Sequence, residues 1–518
     1  VLPFFVIGED QKVGCCGGAM PVTHDSWMHF NQMNAFWSSL SSGIVYPRWD
    51  ENTHGYGAPT TSFYPPGVYY LTSVVYFVVR DWWKAWAGFY WLTMLASAAA
   101  IFVYARQSLS RGASMMAAAV YVFAPYHLLN QYQRGAISEF TSFVWIPLCL
   151  LFAEKLFGKE VGQFSKLSRA AGLAASFGAF LWAHPPAAYQ FLLVFGSCFL
   201  ASHVCSSAFR RSSAINWRGL AWITAALIFG SMLAAAYFYP AIVEQRLVNS
   251  DDVEQVWPYH ASYAFDYSQT VYDRAANPFF VRLDRIWVFN LVAIVVCGLL
   301  AFRSGTGSVS DLSDSQVQLA RDSGRLRSPY CNRVWLWITT GLLASFLMTK
   351  YSAPISRLIP KIEIGVYSWR MLTLTSFAMA MLTGLVWDGG TEPGAVATGS
   401  SQISDFKSNP SLPLPVPYRW VPYRWMILIG ALAMSGYYVA WPMWRSQSFE
   451  PNLQHYNYAT LPREASRDNP PMPPVQFAAG KGSITIERWT PEFRQLQVNL
   501  TENDQLQFRT RNFAGWTA

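Results

Sequence analysis

Charge is the scarcest ingredient of this chain. Only 13% of its 518 residues are Asp, Glu, Lys or Arg, against about 25% in an ordinary soluble domain. A single water-soluble globule is thereby excluded as a description of the whole. Metal-ligand spacing is missing as well. The seven cysteines (Cys15, Cys16, Cys149, Cys198, Cys205, Cys297 and Cys331) show none of the patterns that hold zinc. Four of them lie in or beside apolar runs, where a thiol behaves as a small hydrophobe. The adjacent Cys15 and Cys16 leave lipid attachment and a disulfide equally open, and no disulfide framework is implied. No long repeat is found. A net charge of +8 raises nucleic acid as a partner. The Lys and Arg residues, however, cluster in short loops beside apolar runs, where they set membrane topology, so no nucleic-acid partner is expected.

What is abundant points to a bilayer. Hydrophobic residues make up 52% and aromatics 16%, with 23 Trp. Amphipathic rings collect at both membrane boundaries, and the Trp residues are read as anchors there. Mean hydropathy is only +0.16, because polar stretches at 20–66, 241–283, 303–333, 389–423 and 445–518 dilute the apolar runs. A spanning helix needs about 20 apolar residues. Runs approaching that length occur at 87–105, 113–130, 140–157, 218–240, 285–302, 334–350, 371–388 and 424–443. The stretch 170–203 is interrupted by His184-Pro185-Pro186. A residue before proline avoids helical geometry, so two helices joined by a tight turn are expected. Residues 1–7 (VLPFFVI) look like the stump of a first helix. The fold class expected is an all-α polytopic bundle of about 10–12 membrane helices, crossing about ten times on the runs counted here.

Basic loops orient the bundle. Lys155, Lys159, Lys166 and Arg169 place one loop in the cytoplasm. Arg210, Arg211, Arg303, Arg321, Arg325 and Arg327 do the same for two later loops, and Arg106 and Arg111 fall on that side too. Residues 131–139, His184, 241–283, 351–370 and everything after 445 then face outside. The apolar segment 68–80 is expected to be re-entrant or interface-lying, since a full crossing would invert everything upstream; residues 8–86 then lie outside. Four regions result: 1–19, the remnant helix; 20–66, an outer loop; 67–444, the bundle; and 445–518, an outer tail. In the loop, Phe30, Met33, Phe36, Trp37 and Leu40 recur at helical spacing, predicting an amphipathic helix on the membrane surface. In the tail, after Asn469-Pro470-Pro471-Met472-Pro473-Pro474, alternating runs at 483–487 and 495–500 predict strands of a small β-rich domain. That domain stops abruptly at Ala518, which leaves its completeness open.

The first outer loop is the most informative segment. His24-Asp25-Ser26-Trp27-Met28-His29 puts Asp25 and His29 on one helix face if the helix starts there. Tyr46-Pro47-Arg48-Trp49, Gly55-Tyr56-Gly57-Ala58-Pro59 and Phe63-Tyr64-Pro65-Pro66 follow, an ordered surface loop by composition. Arg134 and Glu139 (in 131–139), His184, Tyr239, and Arg370 of Tyr367-Ser368-Trp369-Arg370 are expected at the same outer face. Ionisable groups at the ends of spanning helices are costly unless paired or functional. Arginine forks suit a phosphate, and a carboxylate can deprotonate an incoming hydroxyl. Each signal has a plainer reading. Asp25 serves equally as the helix N-cap, His29 as interface lining, and Arg134 and Arg370 as headgroup anchors. Glu139 serves as a structural partner of Arg134, His184 as a turn residue, and Arg48 and Tyr64 as residues that shape the loop. A divalent cation held by His24, Asp25 and His29 stands as a further alternative.

The order His-Asp-x-x-x-His, Tyr-Pro-Arg-Trp, Gly-Tyr-Gly-x-Pro, Phe-Tyr-Pro-Pro, Arg-Gly-Ala-x-x-Glu and Trp-Arg resembles a bacterial family of integral membrane proteins. These are labelled 6-pyruvoyl-tetrahydropterin synthase-related and are similar to the YfhO-like branch of the GT-C glycosyltransferases. The resemblance covers roughly residues 20–445, and the β-rich tail also fits. It implies a catalytic acid in the first outer loop, here Asp25, with His29 and Glu139 as further catalytic candidates. It also implies sugar transfer from a polyprenyl-phosphate donor. Arg48, Tyr64, Arg134, His184 and Arg370 are the substrate-binding candidates, and a glycan or protein would be the acceptor. The place implied is a bacterial inner membrane, with the tail outside the cytoplasm. Two departures stand out: the first helix is nearly absent, and the acid sits in His-Asp-Ser, not the Asp-Glu pair of some branches. They motivate an alternative, a non-catalytic subunit that stabilises a larger membrane complex or binds lipid or glycan. A transporter is a weaker third reading, since no span carries a buried ionisable pair at its midpoint.

Overall fold

A computed structural model describes residues 20–21, 23–51, 57–157, 163–199, 216–244, 259–266, 278–310, 329–360, 362, 367–388, 429–430, 432–433, 448–449, 475–478, 482–490, 493–501 and 504–508. The expected helix stump, Cys15, Cys16, Gly55, Tyr56, Lys159, Cys205, Arg210, Arg211, Arg321, Arg325, Arg327, the 389–423 stretch, the Pro-rich 469–474 and most of the 424–443 run lie outside the described residues.

The chain is a helical bundle with a few strands at its end. The main helices are α1 (Ser26–Ser41), α2 (Thr60–Phe63), α3 (Gly67–Val79), α4 (Trp82–Ala105), α5 (Arg111–Val122), α6 (Pro125–Leu129), α7 (Ile137–Phe140), α8 (Ser142–Phe157), α9 (Gln163–Ala183), α10 (Pro185–Phe191), α11 (Trp217–Leu233), α12 (Ala235–Val243), α13 (Pro278–Ser310), α14 (Pro329–Leu347) and α15 (Leu372–Asp388), with one further helical turn at Ala353–Ser356. A π-turn, Asn130–Arg134, joins α6 to the loop before α7. Among the described residues, five helical stretches are long and apolar enough to cross a membrane: Trp82–Ala105, Arg111–Arg134, Ile137–Phe157, Phe279–Arg303 and Ser368–Asp388. A sixth is counted if α11 and α12, bent by 73° where they meet, form one broken span.

The centre of the bundle is α15, on which Leu372 to Leu385 are buried without interruption. A helix apolar all round must be surrounded, and α5, α13 and α14 pack against it. Asn290 of α13 donates to Thr375 at 2.9 Å and Ser376 at 3.3 Å, a cross-link between helices where no water would serve. The pair α9 and α11 meets through small residues. A Cβ on Gly178 would sit 2.9 Å from the Gly230 carbonyl oxygen, and one on Gly230 only 2.7 Å from that of Ala174.

One expectation changes on inspection. The apolar stripe of α1 faces protein and not lipid: Phe30, Met33 and Phe36 are buried with Val68, Tyr69, Trp86 and Phe89. The reason is α3, which lies against α1 and supplies a better partner than headgroups do. The 13 residues of α3 reach only about 20 Å, short of a hydrocarbon core of about 30 Å. The helix buries Val68, Tyr69, Thr72 and Ser73 and leaves Leu71, Val74, Phe77 and Val78 exposed.

The strands expected in the tail are present. β4 (Gly482–Thr490) and β5 (Phe493–Leu500) pair as an antiparallel hairpin with a bulge between Ile486 and Arg488. β3 (Val475–Phe477) pairs with β6 (Leu506–Phe508), and β1 (Met20–Pro21) with β2 (Ser448–Phe449). The hairpin reaches back to the first loop. Trp489 donates its indole N–H to Glu51, Arg494 lies 3.4 Å from the same carboxylate, and its guanidinium stacks on Trp489 at 4.3 Å.

The close crossing of α9 and α11 gives a direct test. Gly230→Val should force the two backbones apart at a cost of about 1–3 kcal/mol, seen as a lower thermal midpoint for the purified protein in detergent. An unchanged midpoint would show that the contact is not tight.

Candidate functional site

Helix α1 begins without help from the Asp25 side chain. The Ser26 amide donates to Thr23 Oγ1 at 3.1 Å, and the Thr23 amide donates to Ser26 Oγ at 3.0 Å. This reciprocal pair is a capping box in all but the residue type. Asp25 occupies the N-cap position with no capping bond from its carboxylate, so the plainer reading of Asp25 as a cap does not describe it. Its backbone is fixed from elsewhere: the amides of His24 and Asp25 donate to the carbonyls of Gln133 and Arg134 at 3.1 and 2.8 Å. That close approach needs Gly135, which has φ +65° and no room for a Cβ, since one would lie 2.1 Å from Thr23 Oγ1.

Three charged residues expected at one face converge beneath Asp25. Glu139, 1% exposed, receives Arg134 Nη1, Arg370 Nε at 3.0 Å and the Tyr126 hydroxyl. Arg134 Nη1 also donates to Asn130 Oδ1 at 2.7 Å. Its Nη2 stands 3.9 Å from Asp25 Oδ2. The Asp25 side chain is 33% exposed while that of Arg134 is 7% exposed, so one carboxylate faces outward over a buried cation. Arg370 lays its guanidinium over the Tyr367 ring at 4.7 Å. The turn that carries it is held by Ser368, whose amide donates to Ser262 Oγ at 2.9 Å. In this arrangement Glu139 is an orienting acceptor with its oxygens occupied, and Asp25 is the carboxylate placed to receive a proton.

The remaining candidates separate. His29 is buried, and its Nδ1 lies 3.1 Å from the Tyr69 hydroxyl. Tyr69 in turn donates to Gln32 Oε1, so the three side chains form one buried chain of polar groups. Burial, then the charge of Arg134, push this imidazole down to about 3, which leaves it neutral. Tyr64 packs edge-on to His29 at 5.5 Å. Burial pushes its phenol up to about 12, so it stays a donor. Burial raises the Asp25 carboxyl above the ordinary range, with Arg134 and Arg370 opposing and Glu139 adding to the rise. His184 caps α10: its Nδ1 accepts the Ala187 amide at 3.1 Å, with prolines at the first two helical positions. Arg48 is bonded to its own loop and to the end of α12. It donates to Glu244 at 2.7 Å and to Ser62 at 3.2 Å. Tyr239 stands exposed on α12.

His24 turns its ring edge-on to Phe279 at 4.8 Å while His29 points to Tyr69. Among the described residues no three His, Cys, Asp or Glu side chains gather as metal ligands. Sequence reading missed several members of the site. Tyr126, Asn130, Tyr69 and Gln32 are bonded into it, and Arg282 acts on His24, whose imidazole is held well below its ordinary value by burial, Arg134 and Arg282 in that order. Only Asn130 carries a local signal, being four residues before Arg134 on a helical stretch.

No family model matches the chain. A curated protein from Lactococcus lactis subsp. cremoris (strain MG1363), described as uncharacterized, is 32% identical over 148 residues, which is 27% of this chain and 23% of that protein. Among solved structures, the Archaeoglobus fulgidus oligosaccharyltransferase matches in its apo form with TM-score 0.46 and 10% identity, over 84% of this chain and 54% of that one. The AglB structure from the same organism, with an inhibitory peptide and a dolichol-phosphate, gives 0.47 at 10% identity, over 83% and 53%. ArnT from Cupriavidus metallidurans, bound to undecaprenyl phosphate, gives 0.29 at 12%, over 72% and 74%. The chain thus spans about half the length of the oligosaccharyltransferase it resembles. With these scores below 0.5, the function inferred below rests on this chain's own residues.

Two substitutions test the site's construction. Glu139→Gln leaves two arginines without their shared counter-charge, and should cost about 3–5 kcal/mol, as removal of one partner from a buried pair does. A thermal midpoint within a degree of the parent would contradict the hub. Gly135→Ala should cost about 1–3 kcal/mol and loosen the 23–26 turn, read as faster amide hydrogen exchange across residues 23–29.

Proposed function

We propose that this chain is an inverting membrane glycosyltransferase of the GT-C kind, taking a sugar from a polyprenyl-phosphate donor to an acceptor hydroxyl outside the cytoplasm. The observation that carries it is the half-exposed Asp25 carboxylate, unused as a cap and standing over two arginines pinned by one buried glutamate. In this reading the acceptor hydroxyl lies on Asp25 and gives it the proton. The hydroxyl oxygen then bonds to the anomeric carbon as the bond from that carbon to the phosphate oxygen breaks. The electron pair leaves with the polyprenyl phosphate, whose growing negative charge the Arg134 and Arg370 side stabilises. Glu139 and His184 position their neighbours, and Tyr64 and His29 supply a neutral donor and a neutral acceptor beside the base. The bilayer, the lipid-linked donor and a glycan or protein acceptor are the partners this requires, and a bacterial inner membrane is the setting proposed.

Purified protein given a panel of polyprenyl-phosphate sugars tests the reading. Turnover should fall by about 10²–10⁴-fold in Asp25→Asn, with donor binding retained. A base must be unprotonated, so kcat/KM should fall as pH drops through the raised Asp25 pKa, placing the acid limb above the ordinary aspartate value of about 3.9. Equal turnover by Asp25→Asn would move the base elsewhere. A broad panel neither bound nor consumed would favour the non-catalytic subunit.

A further inference from the structure

We infer that Arg282 is a third cationic contact for the donor's phosphate, standing between the segments that supply Asp25 and Arg370. The inference rests on the transferase reading above. Its geometry comes from the first turn of α13. Phe279 touches the His24 ring at 4.8 Å and the Trp369 ring at 5.9 Å, and these residues immediately precede Asp25 and Arg370 in the chain. Arg282 lies three positions beyond Phe279 and shares its helix face. The side chain is half-buried. Asp284, two residues on and so on another face, receives the Phe265 amide at 3.2 Å.

The three arginines differ in what they already hold. Arg134 and Arg370 are both bonded to Glu139. Arg282 has neither an ion pair nor a hydrogen bond among the described residues. A guanidinium partly withdrawn from water at the end of a spanning helix is costly without a counter-charge, and a bound anion provides one. With Asp25 and Glu139 ionised, two carboxylates and three arginines leave one positive charge. The phosphodiester linking a lipid to a sugar carries one negative charge, so the site and that group match. Arg282 would hold the phosphate by its planar fork, beside the Arg134–Glu139–Arg370 network.

The test measures binding without turnover, so its outcome is separable from that of the transfer assay. The full chain in lipid nanodiscs would be titrated with undecaprenyl phosphate, with undecaprenol and with inorganic phosphate. Loss of one charge-assisted contact should weaken undecaprenyl phosphate binding about 10–100-fold in Arg282→Gln. Arg282→Lys should recover part of the loss, and the exposed neighbour variant Arg285→Gln should bind as the parent does. Undecaprenol binding should be the same in all variants, and the Arg282→Gln protein should lose part of the parent's salt dependence. Affinity for undecaprenyl phosphate within twofold of the parent in Arg282→Gln would overturn the inference. So would a fall in thermal midpoint with unchanged affinity, which is the mark of a headgroup anchor. Inorganic phosphate bound as tightly as the lipid would assign the residue to a free anion and overturn the lipid assignment. If no sugar is transferred but Arg282→Gln weakens lipid binding, this inference stands and the catalytic reading falls. If Asp25→Asn abolishes transfer while Arg282→Gln binds normally, the reverse holds.

Discussion

One end of this bundle is organised by one buried carboxylate. Glu139 draws in Arg134 from five residues upstream and Arg370 from 231 residues downstream, and takes the Tyr126 hydroxyl on its other oxygen. An ionised group this deep is tolerated only when paired and hydrogen-bonded, and the two arginines and the Tyr126 hydroxyl meet that demand. The π-turn at 130–134, the short α7 and the turn before α15 are thereby locked together. Asp25 inherits its place from them through backbone bonds to residues 133 and 134.

That inheritance separates two carboxylates that composition alone treats alike. Glu139 is saturated and cannot accept a proton without releasing two cations. Asp25 is half-exposed, has one distant ion-pair contact among the described residues, at 3.9 Å, and is spared from capping by Thr23 and Ser26. The division of labour is between an acid that holds charges in place and one that can change its own.

Much of this was legible in the chain, and the limits are physical. The helix start near residue 26, the break at His184-Pro185-Pro186 and the strands around 483–500 follow from local rules of capping, proline geometry and alternation, so they are found where expected. The convergence of Arg134, Glu139 and Arg370 was readable only as shared location, because their pairing depends on how α15 threads the bundle. Arg48 shows the limit of such reasoning. It lies in the same loop as Asp25 but bonds to Glu244, 196 positions away, a choice no local pattern records. The stripe on α1 was read correctly as apolar and wrongly as lipid-facing, since amphipathicity identifies a buried face without naming what covers it.

The strand pairs at the chain's end carry a temporal meaning. Met20 and Pro21 pair with residues 448 and 449, and Glu51 waits for Trp489, 438 positions later. At synthesis rates of about 5–20 residues per second, the first loop emerges roughly 20–90 seconds before the strands that fasten both its flanks. The acid-bearing segment is therefore made well before the strands that fasten its flanks, and must wait for them before its fold is complete.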